Sequence, residues 1–289
     1  LFAALAAASL FAFSACSGSG SSDEASGAPF DAPSSIVDAT FDAAAAETGN
    51  GAAIDVSHTT DGYVAVSASA SSRLKFQVAS GQASYNYDLP QDGTAIVCPL
   101  SFGSGSYTFR VMQNTSGSNY VELFSTAADV ELSSEFAPFL RPNVYCNYNA
   151  GSACVAKARE LVANAGNQGE AVRAICEYVV ENVTYDDAKA SQLKDSSGYV
   201  PNPDDTLSSG TGICFDYASL GAAMLRSQGI PTKIVTGYVS PNGIYDGTWK
   251  SAKFSVSPKT WSRVDLTFAA SSDGGNVGDG KDYTDRFVY

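Results

Sequence analysis

From about Ile54 to Leu132 apolar and polar residues alternate with period two. Leu74, Phe76 and Val78 interleave with Arg73, Lys75 and Gln77. Tyr107, Phe109 and Val111 repeat the pattern, and Tyr63 to Val66, Ile96-Val97, Val121 and Leu123 add further short apolar segments. Turn-forming clusters separate them: Asp61-Gly62, Gln91-Asp92-Gly93, Gly103-Ser104-Gly105 and Ser116 to Asn119. Short alternating segments at this spacing predict an antiparallel β-sandwich. The character changes near Pro138 to Pro142. Residues 154–165 then read as a helix, and Glu170 to Val183 as a stronger one. Val172, Ile175, Cys176, Val179, Val180 and Val183 recur at i, i+3, i+4, i+7, i+8 and i+11, one helical face. Ala190 to Gly210 reads as a polar loop, kept from helix by Pro201 and Pro203. A third helix carries Tyr217, Leu220, Gly221, Met224 and Leu225 on one stripe and stops at Gly229 and Pro231; Lys233 to Val239 reads as a buried strand. The fold class is therefore α+β.

Leu1 to Phe13 is apolar apart from Ser9, long enough for a signal-peptide core and too short to span a bilayer. The charged start usual in such signals is expected upstream of Leu1. Phe13-Ser14-Ala15-Cys16 resembles the bacterial lipobox, which implies that Cys16 is lipidated. The alternative is an ordinary cleaved signal with an incidental cysteine. Both place the mature protein outside the cytoplasm. The lipid would attach it to the membrane without a transmembrane helix. Ser17 to Gly27 is Ser/Gly-rich and reads as a tether. The expected organisation is a signal peptide over 1–16, a flexible linker over 17–50, a sandwich domain over 51–140 and a second domain over 141–289.

The 289 residues include 44% hydrophobic and only 16% charged ones, with a net charge of -13. So acidic a surface, with no Lys/Arg cluster, repels phosphate backbones, so nucleic-acid binding is not expected. There is one histidine, His58, which rules out any multi-His metal site and leaves one imidazole for any relay. In its Ser57-His58-Thr59 setting it reads as a surface or strand-end residue. Outside the cytoplasm disulfides can form. Of Cys98, Cys146, Cys154 and Cys176, the close pair Cys146–Cys154 is the first expectation, and Cys176 reads as a buried thiol on its helical stripe.

Candidate chemistry concentrates in Gly210-Thr211-Gly212-Ile213-Cys214-Phe215-Asp216-Tyr217. Cys214 falls at a helix N-terminus, where unpaired N–H groups and the helix dipole favour a thiolate. Gly210 and Gly212 would admit a substrate close to the backbone. The alternative is an inert, packed cysteine. Asp216, two residues on, should project away from Cys214 and brace the first turn.

Gly212 to Ala218, Met224 to Pro231 and Gly237-Tyr238, in that order, resemble the core of the transglutaminase-like superfamily. Glu181 to Asp186 resembles the end of that family's preceding helix, and Trp261 to Phe268 the strand bearing its third catalytic residue. The likeness spans about residues 150 to 289 and implies a papain-like α+β core. It implies that Cys214 holds the nucleophile position and Asp265 the orienting position of a Cys–His–Asp relay, in which cysteine forms a thioester, histidine moves the proton and aspartate orients the histidine.

The family's histidine belongs between those two residues, and this chain has none there. One register puts Gly247 in its place and another Val239; a third explanation is loss of most of the strand. A thiol of pKa about 8.5 is a few per cent ionised at pH 7. Losing one member of such a relay costs on the order of 10³–10⁶ in rate. Asp205, Asp216, Tyr238 and Tyr245 are the stand-in acids or bases within reach of this reading. The expectation is a catalytically impaired transglutaminase-like protein acting as a surface binding or structural module for a peptide, protein or cell-wall ligand. The alternative is an active acyltransferase, amidase or protease using Cys214 with a substitute base. No cofactor or metal is expected, since the Asp/Gly-rich run from Asp273 to Asp285 lacks the ligand spacing of a calcium loop.

Overall fold

The computed structural model describes residues 29–194, 196, 198–239, 248–257, 260–271 and 283–289. The apolar leader, Cys16 and the Ser/Gly tether lie outside the described residues, as do Tyr245 and Gly247.

Eight strands form two antiparallel sheets. One has the order β1-β2-β3-β6, from β1 (Glu47–Gly49), β2 (Ala52–Asp55), β3 (Tyr63–Ala68) and β6 (Ile96–Pro99). The other has the order β5-β4-β7-β8, from β4 (Leu74–Ser80), β5 (Ala83–Leu89), β7 (Gly105–Ser116) and β8 (Asn119–Val130). The predicted alternation sets the faces. Leu74, Phe76 and Val78 are buried opposite Val111 and Phe109, while Lys75 and Gln77 stay half exposed. Between β1 and β2 the chain turns through Asn50 and Gly51, both at positive φ, the pair of conformations a two-residue hairpin with the strands' twist requires. The stretch before β1 is held against this sandwich, with Thr40 N–H donating to Tyr63 Oη and Asp42 N–H to buried Asp55.

The second half is built around one helix. α1 (Ala153–Val162), α2 (Gln168–Asn182) and α4 (Pro203–Ser209) cover one side of α5 (Cys214–Ser227). Its other side lies on an antiparallel sheet of order β13-β12-β11-β14, made from β11 (Thr232–Val239), β12 (Thr248–Ser257), β13 (Thr260–Val264) and β14 (Tyr283–Val288). With neighbours on all sides, α5 is buried from Phe215 to Ser227, not along a single stripe. Each of Leu220, Met224 and Leu225 removed from water contributes about 1.5–3 kcal/mol.

The polar loop expected from Ala190 to Gly210 is corrected by two helices. α3 (Asp187–Leu193) starts at Asp186, whose carboxylate accepts the Lys189 N–H, and runs past Ala190. α4 begins at Pro203 because proline fits the first helical position, where its missing N–H costs nothing. Asn202 caps it, its side chain accepting from the N–H groups of Asp204 and Asp205.

The Cys146–Cys154 bridge is likewise not formed. Cys98, Cys146, Cys154 and Cys176 are all buried and unbridged, and the Cys146 thiol contacts the Ser219 carbonyl oxygen. Burial raises the Cys146 thiol to about 11 and Cys176 to about 12. An aromatic cluster joins the two halves. Tyr85 and Tyr87 of the sandwich pack on Tyr289, and Tyr145 links Tyr289 to Phe215.

Candidate active site

Cys214 is the first residue of α5 and is half-buried. Its position is set by a two-residue parallel ladder between β9 (Thr184–Tyr185) and β10 (Thr211–Gly212), in which Gly212 pairs with Tyr185. The Asp186 N–H donates to the Gly212 carbonyl at 3.0 Å. One turn into α5, Tyr217 Oη donates to the Val183 carbonyl at 2.5 Å and ties the helix to the end of α2.

Asp216 is fully buried (0% exposed) and braces the first turn of α5, as the sequence suggests. Its Oδ2 accepts from the Ile213 N–H at 2.8 Å and from Lys189 Nζ at 2.7 Å, and its Oδ1 accepts from Tyr199 Oη. Lys189 neutralises the carboxylate, which keeps the buried charge paired. Burial pushes the Tyr199 phenol up to about 12, and its bond to Asp216 adds to the rise. Gly210 and Gly212 are both fitted closely to the chain itself. A Cβ at Gly212 would lie 2.6 Å from the Asp216 Cβ, and one at Gly210, where φ is +64°, 3.1 Å from the Asn182 carbonyl oxygen.

Tyr185 pairs with Gly212, two residues before Cys214. Its phenol is held above the usual tyrosine range, first by burial and then by the charge on Cys214 and on Asp187 and Asp216. It is the residue that sequence reasoning overlooked, although it belongs to the Thr184-Tyr185-Asp186 run that ends the helix before the core. Its signal is the strand pairing with Gly212, which is non-local and cannot be read from spacing.

Asp265 is buried (1% exposed) at the end of β13, where it caps α6 (Leu266–Ser271). Its Oδ1 accepts from the N–H groups of Thr267 and Phe268, and its Oδ2 accepts from Tyr283 Oη at 3.0 Å. α6 packs on α5 and on β9, so Asp265 and Cys214 belong to one region. Leu266 lies against Gly221 of α5, where a Cβ would stand 2.6 Å from the leucine side chain.

β12 lies between β11 and β13, and Ala252 pairs with Val264. Val264, the last β13 residue in that register, directly precedes Asp265. His58 stands in the sandwich, its ring stacked 4.9 Å from Tyr63 with Asp55 and Asp61 at 3.8 and 3.7 Å. Of the other stand-ins, Asp205 is exposed in the first turn of α4 and Tyr238 Oη accepts from Arg286. Among the described residues no group of three or more His, Cys, Asp or Glu is placed to hold a metal ion. A separate cleft of about 340 Å³, lined by Leu100, Ser101, Phe102, Leu132, Phe139 and Lys233 among others, contains neither Cys214 nor Asp265.

A cysteine opening a buried helix, packed against an antiparallel sheet that ends in a buried aspartate, defines the papain-like class of cysteine folds. Residues 155–266 match the family model of the transglutaminase-like superfamily. Solved structures similar to it include a candidate cysteine protease from Cytophaga hutchinsonii, at 18% identity and TM-score 0.37, covering 71% of this chain and 74% of that one. A structure described as a TGase matches at 17% identity and TM-score 0.31, over 39% of this chain and 30% of that one. Red sea bream transglutaminase matches at 11% identity and TM-score 0.29, over 73% of this chain and 49% of its own length. No curated protein matches the chain in sequence.

Proposed function

We propose that this transglutaminase-like protein works outside the cytoplasm, held to the membrane through a lipid on Cys16, as a binding or structural module whose cleft engages a peptide, protein or cell-wall fragment. One observation supports the loss of turnover above the others. The only imidazole in the sequence, that of His58, is engaged by Tyr63, Asp55 and Asp61 in the sandwich. A thioester mechanism needs a group that takes the thiol proton and returns it to the leaving amine. The sequence supplies no second imidazole for that role. Titration with peptide fragments of the cell wall tests the binding role. Equal affinity for wild type and Cys214→Ala is expected. Failure of both to bind, or product release that depends on Cys214, would overturn it. Attachment is tested separately: Cys16→Ala should move the protein from the membrane fraction to the soluble one, and an unchanged distribution would count against the lipid.

A second reading, an active acyltransferase, amidase or protease, draws on Tyr185. A phenol held protonated beside a nucleophilic sulfur can donate to an oxyanion or a leaving group. Iodoacetamide trapping of Cys214 across pH separates the two readings. A thiol pKa near 8.5 or above fits the module, whereas a value well below 7 fits the enzyme.

A further inference from the structure

In a Cys–His–Asp relay the orienting carboxylate accepts a hydrogen bond from the imidazole, and that bond fixes where the base sits. Here Asp265 Oδ1 is taken by two N–H groups of α6, while Oδ2 accepts from Tyr283 Oη at 3.0 Å. The donor is anchored. Arg263 lies 4.3 Å over the Tyr283 ring and also pairs with Asp285, two residues along β14. Tyr283 itself pairs with Val239 at the end of β11. Asp265 in turn belongs to the wall of the Cys214 region, since α6 packs on β9 and on α5, the helix that Cys214 opens.

We propose that Tyr283 fills the seat an imidazole base would take at Asp265, making it a positioning residue that holds the orienting carboxylate in a ready but unused state. This inference rests on the family placement of Cys214 and Asp265. It differs from simple decay of the site: the seat persists, built and occupied, so a base supplied there should work. Tyr283 brings no imidazole: at neutral pH its phenol, with an unperturbed pKa of about 10, is protonated and cannot take up the thiol proton, whereas an imidazole, with a conjugate acid near about 6.5, is largely neutral and can.

Vacating the seat tests this. Tyr283→Ala removes the ring, and free imidazole is then added as the base. The readout is carbamidomethylation of Cys214 by iodoacetamide, followed by peptide mass spectrometry at near-neutral pH. In that reaction the thiol proton passes to imidazole, the sulfur forms a bond to the CH₂ carbon, and iodide leaves. In Tyr283→Ala, imidazole should speed labelling of Cys214 about tenfold or more over an inert buffer, a modest share of what general-base catalysis supplies. It should leave the wild-type rate unchanged, and Asp265→Asn in the Tyr283→Ala background should cancel the gain. A folded Tyr283→Ala protein that labels at the same rate with and without imidazole would overturn the proposal. So would equal acceleration in wild type.

If Tyr283→Ala does not fold, Tyr283→His places the base covalently. Its labelling rate should then gain a titration near the imidazole range, about 6.5, that wild type and Tyr283→Phe lack. An unchanged profile in all three would again reject the seat. A merely structural role for Tyr283 would lower thermal stability without introducing an imidazole-dependent rate. Because labelling is a single event, it reads the seat even where the binding-module reading fails, and that reading is judged instead by turnover.

Discussion

The Arg226 guanidinium donates to the Tyr289 main-chain carbonyl at 2.9 Å, and its other nitrogens donate to the carbonyls of Thr232 and Arg141, each at 2.8 Å. A fully buried arginine (0% exposed) thus clasps α5 to the strand that follows it, to the segment leaving the sandwich and to the far end of β14. The helix whose first residue is Cys214 is fixed at its last turn.

Arg226→Leu should therefore be among the most damaging single changes in the chain. It removes the guanidinium donors of the Thr232, Arg141 and Tyr289 carbonyls, of which Tyr289 keeps the Ile234 N–H, at about 1–3 kcal/mol for each carbonyl left unsatisfied. A loss of several kcal/mol in urea unfolding is expected, or failure to fold. A loss under about 1 kcal/mol would mean that the clasp is not what holds α5.

Gly212 and Gly221 make a paired test of packing around the site. A Cβ at either would approach another atom to 2.6 Å, but at Gly212 the obstacle is the Cβ of buried Asp216, and at Gly221 it is the free end of the Leu266 side chain. Gly212→Ala should cost about 1–3 kcal/mol and disturb the turn before Cys214, whereas Gly221→Ala should cost less, because a leucine rotamer can move. Thermal melts of the two variants check the order; equal losses would contradict it.

Alkaline pH should unfold the protein. Burial raises Cys146 to about 11, Cys176 to about 12 and Tyr217 to about 12, and it raises Tyr145 and Tyr289 as well. The unfolded chain releases these protons from about pH 8.5 for thiols and about 10 for phenols, while the folded chain retains them. Fewer protons bound in the unfolded state make stability fall as pH rises. The stabilisation is complete below about pH 8.5 and declines toward pH 12. Melting temperature measured from pH 7 upward should drop across that window, and a flat profile would contradict the burial of these groups.

Thiol counting checks the absence of bridges. Under native conditions a thiol reagent should reach Cys214 before Cys98, Cys146, Cys154 or Cys176, which are buried. Denaturant without reductant should expose all four as thiols. A protected Cys146–Cys154 pair in denaturant would restore the disulfide that their spacing in the sequence suggests.

Much of this was legible in the chain. Period-two alternation found the sandwich strands, because one face of each is buried and a one-residue slip would expose it. Helical periodicity found α2 and α5. Across Ala190 to Gly210 the local signal fails because Pro201 and Pro203 look like breakers, although proline at the first helical position after an Asn cap starts a helix equally well. At the site, Cys214 and Asp265 came from local motifs. Tyr185 and Tyr283 did not, since one is placed by a parallel two-residue ladder and the other by a strand that reaches back to Asp265. Pairings of that kind leave no mark in local spacing.

Loss of turnover at Cys214 is most directly tested by steady-state ammonia release from a glutaminyl peptide with a primary amine present, comparing wild type with Cys214→Ala. Equal rates at the level of the uncatalysed reaction are expected. Sustained release over many cycles by wild type alone would contradict the account.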